Sequence, residues 1–558
     1  VSQAIGADVS GALGVVTTEA LGVAWDAARK RWAQPVLLGA PRDDREVALA
    51  RIDLSTRRVD VNLGAIAELG IEHTLEAILA HEVGHHLRYP GDLVTAARFA
   101  LLERSIVAFE GFSCVNLFTD LMINERLGRE LSRELADVYR ALARTRKSPA
   151  DDLFHFYVAI YEELWQLPRG ELMDRDRSAF ERRHPRYRAD AHLLAQDLFH
   201  LGPDVFVQFV FFLSVALRYV VPGVEKALES LACACAAHPT PEDWARALVL
   251  DPRERRALER ARAEGWLSPD EVDRAMGERS FERRVMALPG QGTAEAEAVP
   301  EIMAAWYRQQ AERYLVRPPP QRRLGEAVVP TTLEDWEPGD PLVHVDWSAT
   351  LRARGPALGA AQPLVRESIA DEEGLELPRW QPRMEIYLDV SGSMPDPRRT
   401  RNAMTLAAQI LATGTLKSGG WVRALLYSHE HVRYWTWCRS AVEISRFLMH
   451  YVGGGTQFPF AVLRESIDAC RADPPIRVVI SDHDFDHNVR ADAAAHLALL
   501  RDAAAGSASL VLLLHRPVDE LSKTYAELGA RLVHVADLED FPKVAAELAR
   551  VLFDGGRS

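Results

Sequence analysis

Six short apolar runs, near 384–388, 421–428, 432–437, 476–481, 508–514 and 531–535, punctuate the last third of this chain, with helical stretches between them. A brief apolar run without polar alternation reads as a strand buried on both faces, and such strands interleaved with helices pack as a doubly wound α/β sheet. Two of the runs open onto oxygen-bearing side chains. The run 384–388 (MEIYL) leads into Asp389-Val390-Ser391-Gly392-Ser393, ahead of a helical stretch at 399–413, and the run 476–480 (IRVVI) ends in Ser481-Asp482. Between them, Gly453-Gly454-Gly455-Thr456 offers a hydroxyl on a flexible turn before a helix. Carboxylate and hydroxyl oxygens gathered at strand ends suit a hard divalent cation.

This pattern resembles the von Willebrand factor A (VWA) domain and its metal-ion-dependent adhesion site. Asp389, Ser391 and Ser393 match the first loop, Thr456 the distant threonine and Asp482 the distant aspartate. The resemblance covers roughly 383–553 and implies a Rossmann-like fold. It also implies magnesium or another divalent cation at those five residues, with a carboxylate from a partner protein filling an open coordination position. The sequence departs from the family at His483-Asp484-Phe485-Asp486-His487, where glycine is common; the stretch reads as an exposed acidic loop, with a second metal as the alternative.

A second constellation lies near the other end. The segment 74–88 reads as one helix and contains His81-Glu82-Val83-Gly84-His85. Imidazoles four residues apart share a helical face and can grip one zinc ion, and Glu82 beside them can act as general base toward a water. Ahead of it, 48–62 (ALARIDLSTRRVDVN) alternates apolar and polar residues about a polar turn, as a β-hairpin does. A strand pair running into a metal-bearing helix resembles the minimal zincin arrangement. A catalytic zinc site takes three protein ligands, so one more is needed. In the next apolar segment, 107–127, Asn116, Asp120 and Asn124 recur every four residues. Asp120 is the expected ligand, with Asn116 or Asn124 hydrogen-bonding it into place. Glu103, Glu110, Glu125 and His86 compete for the ligand role, and Tyr157, Tyr161 and His155 are available to stabilise an oxyanion.

The middle of the chain reads as helical. The segments 151–165 and 189–201 are amphipathic, and 205–221 is interrupted by Gln208, Ser214 and Arg218, which makes it a core helix rather than a membrane span. Mixed charges over 253–284 suggest an exposed helical pair, 288–300 a linker, and Arg317-Pro318-Pro319-Pro320 a stiff break. The expected organisation is therefore α/β and multidomain: a mainly helical zincin-like unit with a small hairpin or sheet over 1–200, a helical region over 201–330, a connector over 331–380 and the VWA unit over 381–558.

The connector segments Asp335-Trp336-Glu337-Pro338-Gly339-Asp340 and His344-Val345-Asp346-Trp347-Ser348, with the stretch 116–124 (NLFTDLMIN), are similar to a bacterial group of metallopeptidase-like proteins that carry a C-terminal VWA domain. That group is associated with MoxR-type AAA+ ATPases, which implies such an ATPase as partner and a polypeptide as substrate. The alternative is a catalytically inactive, metal-dependent adaptor in a remodelling or defence system. A net charge of −14 disfavours nucleic-acid and anionic-membrane binding. Five scattered cysteines and the lack of a basic start in 1–23 make a reducing, cytoplasmic setting the expectation.

Overall fold

A computed structural model describes residues 17–32, 36–107, 113–145, 151–174, 176–220, 239–288, 298–315, 329–337, 340, 342–354, 362–369 and 381–554. The hairpin forms where the alternation predicts it. Strands β2 (Ala50–Asp53) and β3 (Arg58–Val61) pair antiparallel, and β1 (Arg42–Asp43), which the pattern does not announce, joins β3 in parallel. Asp53 closes the turn by accepting the Ser55 N–H at 2.8 Å, and Arg57 takes the left-handed conformation. The helix Leu75–Leu87 packs against β2, the helix Thr18–Lys30 and the long helix Val115–Thr145. Trp25, Trp32, Ile52, Val61, Leu79, Val83 and Ile123 form the core they share.

The motif helix carries a glycine where its neighbours come closest. A Cβ on Gly84 would lie 2.6 Å from Trp32 and 2.8 Å from Ile123. Both contacts are far inside van der Waals separation, so only glycine lets the helix Val115–Thr145 approach this closely.

Helix Val205–Ala216 is enclosed, with the Phe206 and Phe209 rings 5.2 and 4.9 Å from that of Phe99 in tilted contact, and Phe209 and Phe212 against Phe118. Among the described residues no helix is long and apolar enough to cross a membrane. The mixed-charge stretch differs from its expectation as an exposed pair. It forms three helices, Pro252–Ala263, Pro269–Met276 and Ser280–Met286, and Glu254 and Arg284 are fully buried as partners. Charge patterning alone does not reveal this, because a buried ion pair contributes the same letters as a solvated face.

Of the expected linker, 289–297 lies outside the described residues, and so does 317–320; the linker's last residues belong instead to the helix Ala298–Tyr314. That helix packs on the helices Pro241–Ala247, Ala403–Lys417 and Ala441–Leu448. Its Tyr307 hydroxyl accepts the Asn402 N–H at 2.7 Å and donates to the Thr400 carbonyl at 3.2 Å. In the connector, β4 (Val329–Asp335) and β5 (Leu364–Ile369) pair antiparallel.

The C-terminal part is a six-stranded sheet of β6 (Arg383–Asp389), β7 (Trp421–Tyr427), β8 (His431–Cys438), β9 (Ile476–Ser481), β10 (Ser509–His515) and β11 (Arg531–Val535). Their order is β11-β10-β9-β6-β7-β8, parallel except for the edge strand β8. Ile386, Leu388, Val478 and Ile480 face one helical layer; Tyr387, Leu425 and Val479 face the other. Three buried charged residues inside the apolar runs are cross-strand neighbours: Glu385 Oε2 accepts Arg477 Nε at 3.0 Å, and its Oε1 accepts Arg423 Nε at 3.0 Å. Strand order reverses between β6 and β9, so the crevice at their carboxyl ends is where an open α/β sheet places a ligand.

Candidate metal sites

His81, His85 and Asp120 converge in the N-terminal part. The two Nε2 atoms are 3.2 Å apart, and Asp120 Oδ1 lies 3.6 Å from that of His81 and 3.3 Å from that of His85. Tetrahedral coordination with bonds of about 2.0–2.1 Å requires ligand atoms about 3.3–3.4 Å apart, so this triangle has the dimensions of one face of a zinc site. The far side of each ring is fixed. His85 Nδ1 donates to the Tyr89 carbonyl at 2.8 Å, and His81 Nδ1 meets Asn124 Oδ1 at 2.8 Å. Asn124 presents its oxygen because its amide nitrogen donates to the Tyr161 hydroxyl at 2.9 Å, and Tyr161 meets the Tyr157 hydroxyl at 2.5 Å. With protons on Nδ1 alone, the form that binds a metal, both Nε2 lone pairs face the space beside Asp120 Oδ1.

The electrostatics favour positive charge at that point. Burial disfavours the His81 imidazolium, yet Asp120, by hydrogen bond and by charge, overrides it and lifts the ring to about 9. Burial likewise opposes ionisation of Asp120, and the two histidines outweigh it and hold the carboxyl below its ordinary value. Glu82 is fully buried and neither carboxylate oxygen has a hydrogen-bond partner. A buried carboxylate left in that state costs several kcal/mol, of order 1–3 for each unsatisfied oxygen, and is one that awaits a donor.

The expected orienting pair resolves into one. Asn116 is exposed, and Asn124 hydrogen-bonds His81, not Asp120. Four-residue steps drift around a helix of 3.6 residues per turn, so three such positions do not face the same partner. The competitors lie elsewhere: Glu103 accepts the Cys114 N–H at 2.7 Å, Glu125 pairs with Arg129 at 2.8 Å, and His86 is partly buried outside the triangle, while Glu110 lies outside the described residues. His155 is engaged with Asp174 at 2.8 Å. Tyr157 and Tyr161 stand behind Asn124 as part of its support.

The second cluster sits at the β6/β9 crevice. Asp389 is buried; its Oδ2 accepts the Ser481 hydroxyl at 2.6 Å and its Oδ1 the Ser391 N–H at 3.0 Å. Ser391 and Ser393 hydroxyls are 3.1 Å apart, and Ser393 donates to Asp482 Oδ2 at 3.2 Å. The glycine turn is clamped to this loop, with Gly392 N–H on the Gly454 carbonyl at 2.7 Å and Gly453 N–H on that of Val390 at 3.0 Å. A Cβ on Gly454, whose φ is +81°, would strike His429 at 2.2 Å, so glycine is required there. Thr456 reaches the crevice rim, where its hydroxyl donates to Asp484 Oδ2 at 3.2 Å. Burial drives the Asp389 carboxyl up to about 6; the Ser481 and Ser391 hydrogen bonds oppose that, and Asp482 adds to it. Four of the five expected oxygen donors are thus linked in one hydrogen-bonded cluster, and Thr456 joins through Asp484.

The stretch after Asp482 is not a loop. Asp484–Ala491 is a helix with His483 at its N-cap, and Asp486 points inward, where it accepts the Tyr525 hydroxyl at 2.6 Å. Sequence reasoning missed Tyr89, Ser481 and Asp484 as members of these sites. Tyr89 acts through its carbonyl, which no side-chain pattern reports, whereas Ser481 was visible as the residue before Asp482.

No protein-family model matches this chain, and no curated protein matches it.

Proposed function

We propose that this protein is a zinc-dependent peptide hydrolase. The observation that carries the reading is the convergence of two oriented imidazole nitrogens and Asp120 Oδ1 at zinc-ligand spacing, beside a buried Glu82 with both oxygens unpartnered. His81, His85 and Asp120 would hold the ion. Zinc, when bound, supplies Lewis acidity that acidifies a water and polarises a carbonyl. Glu82 takes the proton from the attacking water at a carboxylate oxygen and returns it to the amine nitrogen as the C–N bond breaks. Asn124 and the Tyr89 carbonyl keep both rings in the ligand tautomer.

The C-terminal cluster supports a second role in the same chain. Its donors are all oxygen, at the topological switch point, and Asp389 is buried where its charge needs compensation; such a site takes magnesium or a similar hard cation and offers it to a carboxylate of a partner protein. A MoxR-type AAA+ ATPase is the partner that the resemblance of the connector segments and of the stretch 116–124 favours. One observation favours the adaptor alternative: His81 and Asp120 are only 6% and 5% exposed, a small opening for a polypeptide.

Elemental analysis of the purified protein beside His81→Ala and Asp120→Ala tests the reading. About one zinc per chain, lost in both variants, supports the hydrolase site. A folded wild-type protein that takes up no zinc transfers the weight to the adaptor.

A further inference from the structure

The helix Asp484–Ala491 turns three ligand-bearing side chains outward next to, but apart from, the oxygen cluster. His483 and His487 are four residues apart, which stacks them on one face across a single turn. Both are exposed, their rings lie 5.8 Å apart, and Asp484 is between them with Oδ1 3.6 Å from His483 Nε2. One ligand atom from each of the three lies within 4.8 Å of the others.

This face is held rigidly from behind. Phe485 and Val489 are fully buried, and Asp486 accepts the Tyr525 hydroxyl and, at 2.5 Å, the Val518 N–H. Asn488 ties the helix to the glycine loop, accepting the Phe458 N–H at 2.9 Å and donating to the Thr456 carbonyl at 3.1 Å. The backbone under the two histidines is therefore set before any ion arrives, and binding orders little beyond side-chain rotamers.

We propose that His483, His487 and Asp484 form a surface site for a borderline transition-metal ion of the zinc, nickel or copper class. Two imidazole nitrogens and one carboxylate oxygen select that class over magnesium, which prefers an all-oxygen shell. The site is chemically distinct from its neighbour around Asp389, and one residue joins the two. Asp484 turns Oδ1 to His483, while its Oδ2 takes the Thr456 hydroxyl and its N–H donates to Asp482 Oδ1 at 2.9 Å. An ion on the histidine face therefore pulls on a carboxylate that also positions Thr456, on a residue whose backbone N–H holds Asp482, so each metal alters the affinity for the other.

The test is zinc binding to the full chain in excess magnesium, wild type against His483→Ala/His487→Ala, with zinc as the probe. The wild type should bind about one more zinc ion per chain than the double variant, and His81→Ala should leave that difference unchanged. Equal zinc uptake by wild type and double variant overturns the proposal. Both histidines are exposed, so the variant is expected to fold; circular dichroism identical to wild type verifies this, and His487→Gln serves as the second variant, with the same loss expected. Because the readout is a difference at these residues, failure of the N-terminal zinc site removes a separate ion and is distinguished from failure here.

Discussion

The two candidate metal sites are built in opposite ways. Around His81 the ligands stand on two long helices, and each ring is locked from behind by a carbonyl-type oxygen. Around Asp389 they stand on two strand ends and on a turn between two helices, and the donors mainly hydrogen-bond one another. A helix-borne site is pre-aimed and nearly closed, which suits chemistry on a held ion. A loop-borne site at the carboxyl ends of central strands keeps an approachable rim, which suits contact with another molecule. The contrast lies in the orienting shell as well as in the ligand atoms.

The sharpest way to break this contrast is Glu82→Gln. If the helix site is catalytic, this variant should keep zinc and lose about 10²–10⁴-fold in peptide hydrolysis; undiminished cleavage sinks the hydrolase reading. Next is Asp389→Ala. In the wild type, magnesium at about a hundred times its dissociation constant should stabilise the fold by about 2.7 kcal/mol, and thermal or urea melts of the variant should show none of this while partner binding disappears. A magnesium response that persists would move the cation elsewhere.

The orienting shell is probed by Asn124→Ala, where zinc affinity should fall about 10–100-fold in competition with a chelator while the helices remain folded. An unchanged affinity would mean that the ring needs no support. The smallest effect concerns Glu103, outside the helix site. Burial raises its carboxyl to about 6, above the ordinary 4.5, against the Cys114 hydrogen bond. The folded state thus binds the proton more tightly, and the contribution to stability is full below pH 4.5 and lost as pH rises through 6. Glu103→Gln keeps an acceptor for the Cys114 N–H and removes the charge. Urea denaturation should show it about 1–2 kcal/mol more stable than wild type near pH 8 and equal to it near pH 4.

Much of this was legible in the sequence, for physical reasons that differ by element. The hairpin and the helix Leu75–Leu87 follow from local periodicity, and the apolar runs of the sheet appear within a residue or two of where they are read. Asp120 was reachable from spacing because one helix carries it, but the choice between Asn116 and Asn124 depended on which turn meets the neighbouring helix, and that is set by Gly84. The Tyr89 carbonyl carries no side-chain signature at all. The ion pair of Glu254 and Arg284 and the inward turn of Asp486 were misread as surface, since burial of a charge depends on a partner distant in sequence.

The helix Ala298–Tyr314 gives the molecule a load path. It is wedged against the helices that line the C-terminal sheet, and it leans on Pro241–Ala247, which in turn rests on Leu93–Ile106, and that helix touches Val115–Thr145. Close-packed side chains transmit displacement instead of absorbing it. The Asp389 crevice therefore has a continuous packed route, element by element, to the helix that carries Asp120.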